Sequence, residues 1–267
     1  MKILPKPIPD IAAEEIFEVC VGSFTDEKKR TKLLSCKGLV KSDSDSYEKT
    51  TPSSIQKFTP SVLPEEVSSA EMSKVYTDKF ANQAGPGRVY YNKIMAQTNQ
   101  GTCPICGVRI ACTLDHYLPK SKVPTLAVTP SNLIPTCRDC NFDKHADMEF
   151  DPNKTPVHIY FDELPNVPWL FVNIGSLMEV TYYISCPNTW DAGLRNRVEQ
   201  HLDFYNLHQL YSSHAAQEIA DAKMLWQTLL TTGGQSALHS IICSARKSAE
   251  CNDMNSWKAA LYRNRQS

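Results

Sequence analysis

Four cysteines occur as two Cys-x-x-Cys pairs, Cys103/Cys106 and Cys137/Cys140, with thirty residues between the pairs. A Cys-x-x-Cys pair presents two thiolates from one tight turn, and two such turns complete the tetrahedral sulfur site that zinc prefers. A redox pair or a coincidence is a poor explanation of two pairs at this spacing. The pattern therefore predicts a zinc ion held by four thiolates. Because no coordination position is left for substrate, this zinc is expected to be structural, not catalytic.

Side chains suited to phosphodiester hydrolysis lie between these pairs and directly after them. The reaction needs a base that deprotonates water and a cation that neutralises negative charge. His116 is the candidate base, because a neutral imidazole has its pKa near the working pH. Asp115 and Asn141 offer the oxygen ligands that Mg²⁺ or Mn²⁺ takes. They would meet if a helix beginning near Arg138 packs against the strand that carries Asp115.

The order of these motifs along the chain resembles that of the HNH (ββα-metal) endonucleases, over roughly residues 101–150. The segments that carry the resemblance are Thr113-Leu-Asp-His-Tyr-Leu-Pro, Ser131-Asn-Leu-Ile-Pro and Cys137-Arg-Asp-Cys-Asn-Phe-Asp-Lys144. The resemblance implies an α+β fold, in which a small ββα-metal core with a four-cysteine zinc knuckle is flanked by N- and C-terminal helical regions. It also implies that Asp115 and Asn141 hold the catalytic metal. Asn132, the middle asparagine of the motif, is expected to hold the loop and orient the base.

Several further side chains near these motifs are candidates for the site. His145 lies four residues after Asn141 and would share its helix face, as a second nitrogen ligand, a phosphate contact or a peripheral residue. A local positive cluster is formed by Lys120, Lys122, Arg138 and Lys144. These cations either position the phosphate backbone of a substrate or form an ordinary solvated surface. His158, farther along, is expected to be a packing or hydrogen-bonded residue rather than a ligand.

Periodicity divides the chain into three regions. Residues 1–85 are predicted to be helical, with one helix capped by Asp10, a short helix after Thr25 and another from Pro64. A mobile linker is predicted near 41–54, where Ser, Asp and Thr predominate. Residues 86–165 are predicted to hold the nuclease core, after a helix from Val89 to Ala96 that leads into the first cysteine pair. Residues 166–267 are predicted to contain short strands, followed by helices from about Asn188 onward.

The overall composition is that of an ordinary globular protein, with a net charge of −1 over 267 residues. A chain with so little net charge does not coat nucleic acid indiscriminately, so contacts to nucleic acid are expected from local patches or from a partner subunit. Ten cysteines without a disulfide-type pattern favour a reducing compartment. The N-terminus lacks the apolar segment of a signal peptide, and no apolar run is long enough to span a membrane. These features predict a cytoplasmic protein with no membrane partner.

Among HNH enzymes, these motifs most resemble the nuclease subunit PtuB of Septu-type and retron-associated antiphage defence systems. Those nucleases act with an ABC-type ATPase subunit, PtuA, so the resemblance implies a nucleic-acid substrate and a PtuA-like partner, within a retron complex in some systems. The chain has no Gly-x-x-x-x-Gly-Lys phosphate loop of its own. A metal-activated water attacks DNA and RNA backbones alike, so DNA and RNA such as tRNA both stay open. The alternative is a non-catalytic, zinc-stabilised module that binds nucleic acid or protein.

Overall fold

Helices and two small antiparallel sheets make up the protein, as the predicted α+β class requires. The computed structural model describes residues 1–6, 12–144, 155–176 and 179–264. Internal contacts group the chain into two compact units, one of residues 3–162 and one of residues 163–267 together with Met1 and Lys2. The N-terminal helices and the predicted nuclease core therefore belong to the same unit.

Three helices begin the first unit. They are α1 (Ala13–Gly22), α2 (Glu27–Leu34) and α3 (Lys37–Glu48). The side chain of Asp26 accepts a hydrogen bond from Lys29 N and so caps the start of α2, where aspartate satisfies an otherwise unpaired N–H group. The helix predicted after Thr25 is confirmed. Asp10, the predicted cap of the first helix, lies outside the described residues.

The mobile linker expected near 41–54 is wrong over its first half, because α3 continues to Glu48. Three polar side chains on this helix are buried: Asp43, Ser44 and Tyr47. Polar residues leave water at little cost when partners satisfy their hydrogen bonds. Asp43 and Ser44 each have one such partner more than eighty residues away in the sequence. Composition alone favours a loop here. Hydrogen bonds to residues distant in the sequence instead allow these polar side chains to be buried on a helix.

A second helical segment starts at Ser69, later than the predicted start at Pro64. Helix α4 (Ser69–Lys74) begins there because Ser68 and Glu71 form a capping box. A π-helical turn, Val75–Phe80, follows directly. Helix α5 (Arg88–Met95) then confirms the helix predicted before the first cysteine pair.

Gly87, just before α5, permits a close approach of the chain to α1 and to the π-helical turn. A Cβ atom at this position would lie 2.7 Å from Cys20 Sγ and 2.8 Å from Phe80 Cα. Real Cβ atoms do not come so close to other heavy atoms, so any larger residue would push these elements apart.

A short hairpin and one helix form the centre of the first unit. Strands β1 (Thr113–His116) and β2 (Leu133–Thr136) pair antiparallel, with His116 opposite Leu133. Helix α6 (Arg138–Asp143) follows β2 after one residue and packs against β1. The predicted strand through Asp115 and His116 and the predicted helix near Arg138 are both confirmed.

One apolar core joins the helices to this hairpin. Leu114 and Leu133 from the strands are buried in the same cluster as Phe17 of α1 and Phe80 of the π-helical turn. Short 3-10 turns occur at Ile55–Lys57, Asn99–Gly101, Pro124–Leu126 and Pro130–Asn132. Since a two-stranded hairpin is only marginally stable alone, its burial against helices is what stabilises it.

The second unit contains the short strands and the helices predicted from about Asn188. Its elements are β3 (Leu170–Ile174), β4 (Val180–Ile184), α7 (Ala192–Phe204), α8 (Leu207–Asn252) and α9 (Trp257–Asn264). Strands β3 and β4 pair antiparallel. Buried Asn255 ties this sheet to the turn before α9, because its Oδ1 accepts hydrogen bonds from Trp169 N at 2.8 Å and Leu170 N at 3.2 Å.

Helix α8 reverses direction at Gly234, whose φ of 66° and ψ of −171° are not helical. A cavity is lined by residues 218–226 on one side of this point and by residues 241–248 on the other. The two arms therefore lie side by side as a helical hairpin. None of the helices in the described part of the chain is both long and apolar enough to cross a membrane.

Candidate functional site

The four cysteines of the two pairs converge on one point. Their sulfur atoms all lie within 4.8 Å of one another, and all four residues are buried. Sulfurs bound to one zinc ion at about 2.3 Å lie about 3.8 Å apart, so the cluster fits this ion. Within the described residues, no other group of three or more His, Cys, Asp or Glu ligands converges in this way.

Two turns place the sulfurs. The first pair lies in a turn where Gly107 N donates to Cys103 O at 2.8 Å and Arg109 N donates to Cys106 Sγ at 3.4 Å. Cys137 is the residue before α6, and its sulfur accepts from Cys140 N at 3.4 Å. The two turns thus bring four sulfur atoms together at a spacing that suits thiolate ligands of one zinc ion.

Asp115 and His116 are neighbours on β1 and point to opposite faces of the hairpin, as adjacent strand residues do. His116 points inward and is 6% exposed. Its Nε2 lies 2.8 Å from the carbonyl oxygen of Ala127. A carbonyl only accepts hydrogen bonds, so Nε2 carries the hydrogen and Nδ1 keeps the lone pair of the neutral ring. Tyr76 packs edge-on against the imidazole, with ring centroids 4.4 Å apart.

The surroundings of His116 keep its ring neutral. Burial, with smaller contributions from the charges of Lys120 and Lys144, lowers the pKa of His116 to about 3, against the opposing hydrogen bond to Ala127. A neutral imidazole with a lone pair on Nδ1 is the form that accepts a proton from water.

Lys144, which follows α6, is buried, so the alternative of an ordinary solvated surface is wrong for this residue. Its Nζ lies 2.6 Å from Asp115 Oδ2 and also donates to the carbonyl oxygen of His116. Burial lowers the pKa of Lys144, and the charge of Asp115 acts in the opposite direction. This side chain therefore fixes the Asp115 carboxylate and connects the end of α6 to β1. Its ammonium group is occupied by Asp115 and by the backbone of His116, so it is not oriented toward solvent, where a phosphate group would lie.

The other predicted cations are placed differently. Lys120 is half-buried, with its Nζ 5.2 Å from the centre of the Tyr76 ring and near enough to Asp115 for the two charges to interact. Arg138 is exposed at the start of α6. These two side chains, together with exposed Lys122, are the part of the predicted positive cluster that solvent or a substrate reaches.

Asn132 is completely buried in the loop between the two strands. Its Oδ1 accepts from Leu118 N at 2.7 Å, and its Nδ2 donates to Leu118 O at 3.0 Å and to Leu126 O at 3.3 Å. One amide thus ties together three segments of backbone: the residues after β1, the 3-10 turn and the start of β2. Leu126 directly precedes Ala127, the residue that holds His116.

Asn141 is exposed on α6. Lys144, three residues later and just after the end of this helix, donates a hydrogen bond to the Asp115 carboxylate. Asp115 is 15% exposed at its side chain. One carboxylate oxygen and one amide oxygen suit a hard divalent cation, because Mg²⁺ is bound by few protein ligands and keeps several waters. The chemistry of the donors therefore fits the predicted metal. His145 lies outside the described residues.

His158 is a core residue, as expected. It is fully buried; Nδ1 accepts from Tyr160 N at 3.2 Å, and Nε2 lies 2.9 Å from Tyr47 Oη. Its ring stacks on Phe161 with centroids 4.2 Å apart. Both ring nitrogens thus form hydrogen bonds inside the core.

Sequence patterns did not indicate two residues that contact the imidazole. Tyr76 is on the π-helical turn, forty residues before His116, and Ala127 contributes only its carbonyl oxygen. Tyr76 belongs to no motif and is distant in the sequence. A backbone acceptor such as Ala127 O is present in every residue type, so no sequence pattern indicates it.

The segment that carries these residues is similar to known proteins. Residues 103–147 match the family model described as HNH endonuclease. Protein ea31 of Escherichia phage lambda is 25% identical over 206 residues, which cover 74% of this chain and 66% of the phage protein. No solved structure matches. The chain therefore contains an HNH endonuclease domain at residues 103–147, beginning and ending within a few residues of the zinc-type cysteine pairs and carrying Asp115, His116 and Asn141 between those limits.

Proposed function

We propose that this protein is a metal-dependent endonuclease that hydrolyses phosphodiester bonds of nucleic acid. The observation that carries the proposal is the placement of His116, whose neutral ring is held through Nε2 by Ala127 O, one residue after Asp115, whose carboxylate is held by Lys144. Nδ1 is then the atom that takes a proton from the attacking water. Asp115 and Asn141 are the proposed ligands of Mg²⁺ or Mn²⁺, and Asn132 is a proposed positioning residue.

Each group has a separate task in the proposed reaction. His116 Nδ1 accepts a proton from a water molecule while the oxygen of that water attacks phosphorus. The bond from phosphorus to the 3′ oxygen then breaks. A divalent cation, when bound, supplies the charge that neutralises the transition state and the departing oxygen. Lys144 keeps the Asp115 carboxylate in place, and Lys120 and Arg138 approach the phosphate backbone. The cysteine-bound zinc takes no part in the chemistry and stabilises the hairpin and α6.

We further propose that the protein acts as the nuclease effector of an antiphage defence complex with an ABC-type, PtuA-like ATPase. The support is the resemblance of its motifs to PtuB, together with the missing phosphate loop and the near-zero net charge. A partner subunit would then supply ATP hydrolysis and part of the nucleic-acid surface. DNA and RNA such as tRNA are both proposed substrates. The proposed location is the cytoplasm, where cysteines stay reduced.

A cleavage assay with two histidine variants tests the activity. The purified chain, alone and with a candidate ATPase, is incubated with plasmid DNA and with total tRNA, in Mg²⁺ or Mn²⁺. His116→Gln should lower the cleavage rate by about 10²–10⁴-fold, the usual contribution of a general base. Glutamine retains a donor for Ala127 O, so zinc content and melting temperature should stay close to wild type. The matched control is His239→Gln, at an exposed position of α8.

Two results would contradict the proposal. One is cleavage by His116→Gln at the wild-type rate. The other is nucleic-acid binding by wild type without cleavage under every metal and partner condition, which would instead favour the non-catalytic zinc module.

A further inference from the structure

We propose that Asp43 of α3 is a positioning residue for His116, acting through Thr125 and the loop between the two strands of the hairpin. This inference rests on the proposed function. Helix α3 lies outside residues 103–147, the part that matches the HNH family model, so the proposal assigns part of the site to the N-terminal helices.

One face of α3 is bonded to this loop at three points. Thr125 Oγ1 donates to Asp43 Oδ2 at 2.5 Å, and Ser44 Oγ lies 2.7 Å from Thr129 Oγ1. Farther along, Ser131 Oγ donates to Glu48 Oε1 at 3.2 Å. Ser44 and Glu48 lie four residues apart and so share a face of the helix, and Asp43 is the residue next to Ser44. The loop therefore lies along this part of α3.

The same loop holds the imidazole. Ala127, two residues after Thr125, accepts the hydrogen bond from His116 Nε2 at 2.8 Å. The connection between Thr125 and Ala127 is short and constrained, because Ala127 N donates to Pro124 O at 3.2 Å and so closes the 3-10 turn Pro124–Leu126 around it. A displacement at Thr125 is therefore transmitted to the carbonyl group that fixes the ring.

Asp43 is a rigid anchor. It is 4% exposed, and its three donors are neutral: Thr125 Oγ1, Ser61 N at 2.9 Å and Ser61 Oγ at 2.6 Å. A buried carboxylate is stable only when donors satisfy its oxygens. Because Ser61 holds the carboxylate from outside the loop, Asp43 would stay in place if the Thr125 bond alone were lost.

The position of this loop determines which ring nitrogen of His116 carries the hydrogen. With Ala127 O in place, the hydrogen is on Nε2 and Nδ1 is the basic atom. If the loop moves, the ring is free to turn or to carry its hydrogen on Nδ1, and then no lone pair faces the water. The turnover rate falls while substrate contacts elsewhere persist.

Three substitutions separate positioning from simple stabilisation. Thr125→Val removes the hydroxyl with little change of shape, and Thr125→Ser restores it. Ser61→Ala removes a hydrogen bond to the same carboxylate from a residue outside the loop. A merely structural role predicts equal effects for Thr125→Val and Ser61→Ala. A positioning role predicts that only Thr125→Val affects the imidazole.

Two measurements on the full chain decide the question. The first is kcat and KM for whichever of plasmid DNA or tRNA is cleaved, at a temperature where every variant is folded. Thr125→Val should lower kcat by about 10–100-fold with KM nearly unchanged, a typical cost of misplacing a catalytic group. Thr125→Ser should recover most of this loss, and Ser61→Ala should keep wild-type kcat.

The second measurement is the tautomer of His116, followed by ¹⁵N NMR of histidine-labelled protein, with the signal identified by its absence in His116→Gln. Wild type, Thr125→Ser and Ser61→Ala should carry the proton on Nε2, whereas Thr125→Val should show a mixture. An unchanged tautomer or unchanged kcat in Thr125→Val overturns the proposal, as does an equal kcat loss in Ser61→Ala. If wild type cleaves no substrate, the proposed function fails, and the tautomer alone decides whether Asp43 and Thr125 hold the ring.

Discussion

At the scale of single residues, Asp115 and His116 show how neighbours in sequence come to lie in different surroundings. Because strand residues alternate between faces, His116 enters the buried side and Asp115 stays 15% exposed at its side chain. The buried residue is fixed by a backbone carbonyl and the other by the Lys144 ammonium. The proposed base and the proposed metal-binding carboxylate are therefore neighbours in the chain, each held by its own partner on its own face of the hairpin.

Lys144 is expected to stabilise the protein through its ion pair with Asp115. Lys144→Met would leave a mostly buried carboxylate without its cation, which costs several kcal/mol when burial is complete. Since Asp115 retains some exposure, we expect a loss of about 2 kcal/mol in the free energy of unfolding, measured with urea in buffer without added Mg²⁺. Millimolar Mg²⁺ should recover part of the loss, because a divalent cation on Asp115 replaces the missing charge.

The control for this experiment is Lys122→Met, which removes an exposed ammonium two residues from Lys120. It should change the free energy of unfolding by less than about 0.5 kcal/mol. Equal losses in both variants would mean that the buried ion pair adds nothing.

At the scale of elements, α4 is connected to α2 by one carboxylate. Glu71 completes the capping box with Ser68 and lies 2.8 Å from Lys32 Nζ. The hydrogen bond from Lys32, followed by those from Ser68, lowers the pKa of Glu71 from 4.5 to about 2. A group whose pKa is lowered in the folded state stabilises it above the unfolded pKa and loses this effect as the pH falls toward the folded value.

Glu71→Gln should therefore destabilise the protein at pH 7, and the difference from wild type should shrink between pH 4.5 and pH 2. Because both side chains of the pair are partly exposed and screened, the expected loss at pH 7 is about 1 kcal/mol or less. Chemical denaturation at a series of pH values measures it. Glu65→Gln, at a nearby exposed position, should show no such trend, and a pH-independent effect of Glu71→Gln would contradict the assignment.

The helical hairpin of α8 depends on one glycine. Gly234 has φ 66° and ψ −171°, a region that residues with a Cβ atom avoid. Gly234→Ala should cost about 1–3 kcal/mol in the free energy of unfolding. Gly38→Ala, in α3 where a Cβ meets nothing within 4 Å, should instead be neutral or stabilise by up to about 1 kcal/mol. Thermal melts followed by circular dichroism compare the two, and equal shifts would argue against the strained turn.

At the scale of the whole molecule, the zinc-type cluster is expected to stabilise the unit of residues 3–162, in which all four cysteines lie. It joins residue 103 to residue 140 around the hairpin, and the hairpin shares its apolar core with α1 and the π-helical turn. The free energy of binding of a structural zinc ion is about 10 kcal/mol or more, as large as the stability of a domain. Loss of the ion should therefore unfold much more than the knuckle itself.

Cys137→Ser tests this dependence. Bound zinc, measured by atomic absorption, should fall from about one ion per chain to almost none, with a large loss of helical signal and of solubility. The control is Cys112→Ser, an exposed thiol just before β1, which should keep the metal and the melting temperature. A Cys137→Ser protein that stays fully folded without zinc would show that the apolar core suffices.

The sequence by itself determined the zinc-type cluster and the position of the HNH domain. Two cysteine pairs, Asp115, His116 and Asn141 are recognisable because metal ligands and bases require particular side chains at short spacings, and β1 and α6 follow from the same segment. The zinc-type cluster and the HNH domain predicted from these residues are both found. The catalytic tasks of Asp115, His116 and Asn141 stay predictions for the experiments above.

Only the tertiary structure decided which polar residues are buried and what they hold. Asp43 lies in a Ser- and Asp-rich segment that resembles a linker, yet it is buried because Thr125 and Ser61 satisfy its oxygens. Lys144 resembles a phosphate contact, yet it faces Asp115 inside the protein. In both cases the deciding partner is distant in sequence, and the cost of burying a polar group depends on that partner, which no local pattern records.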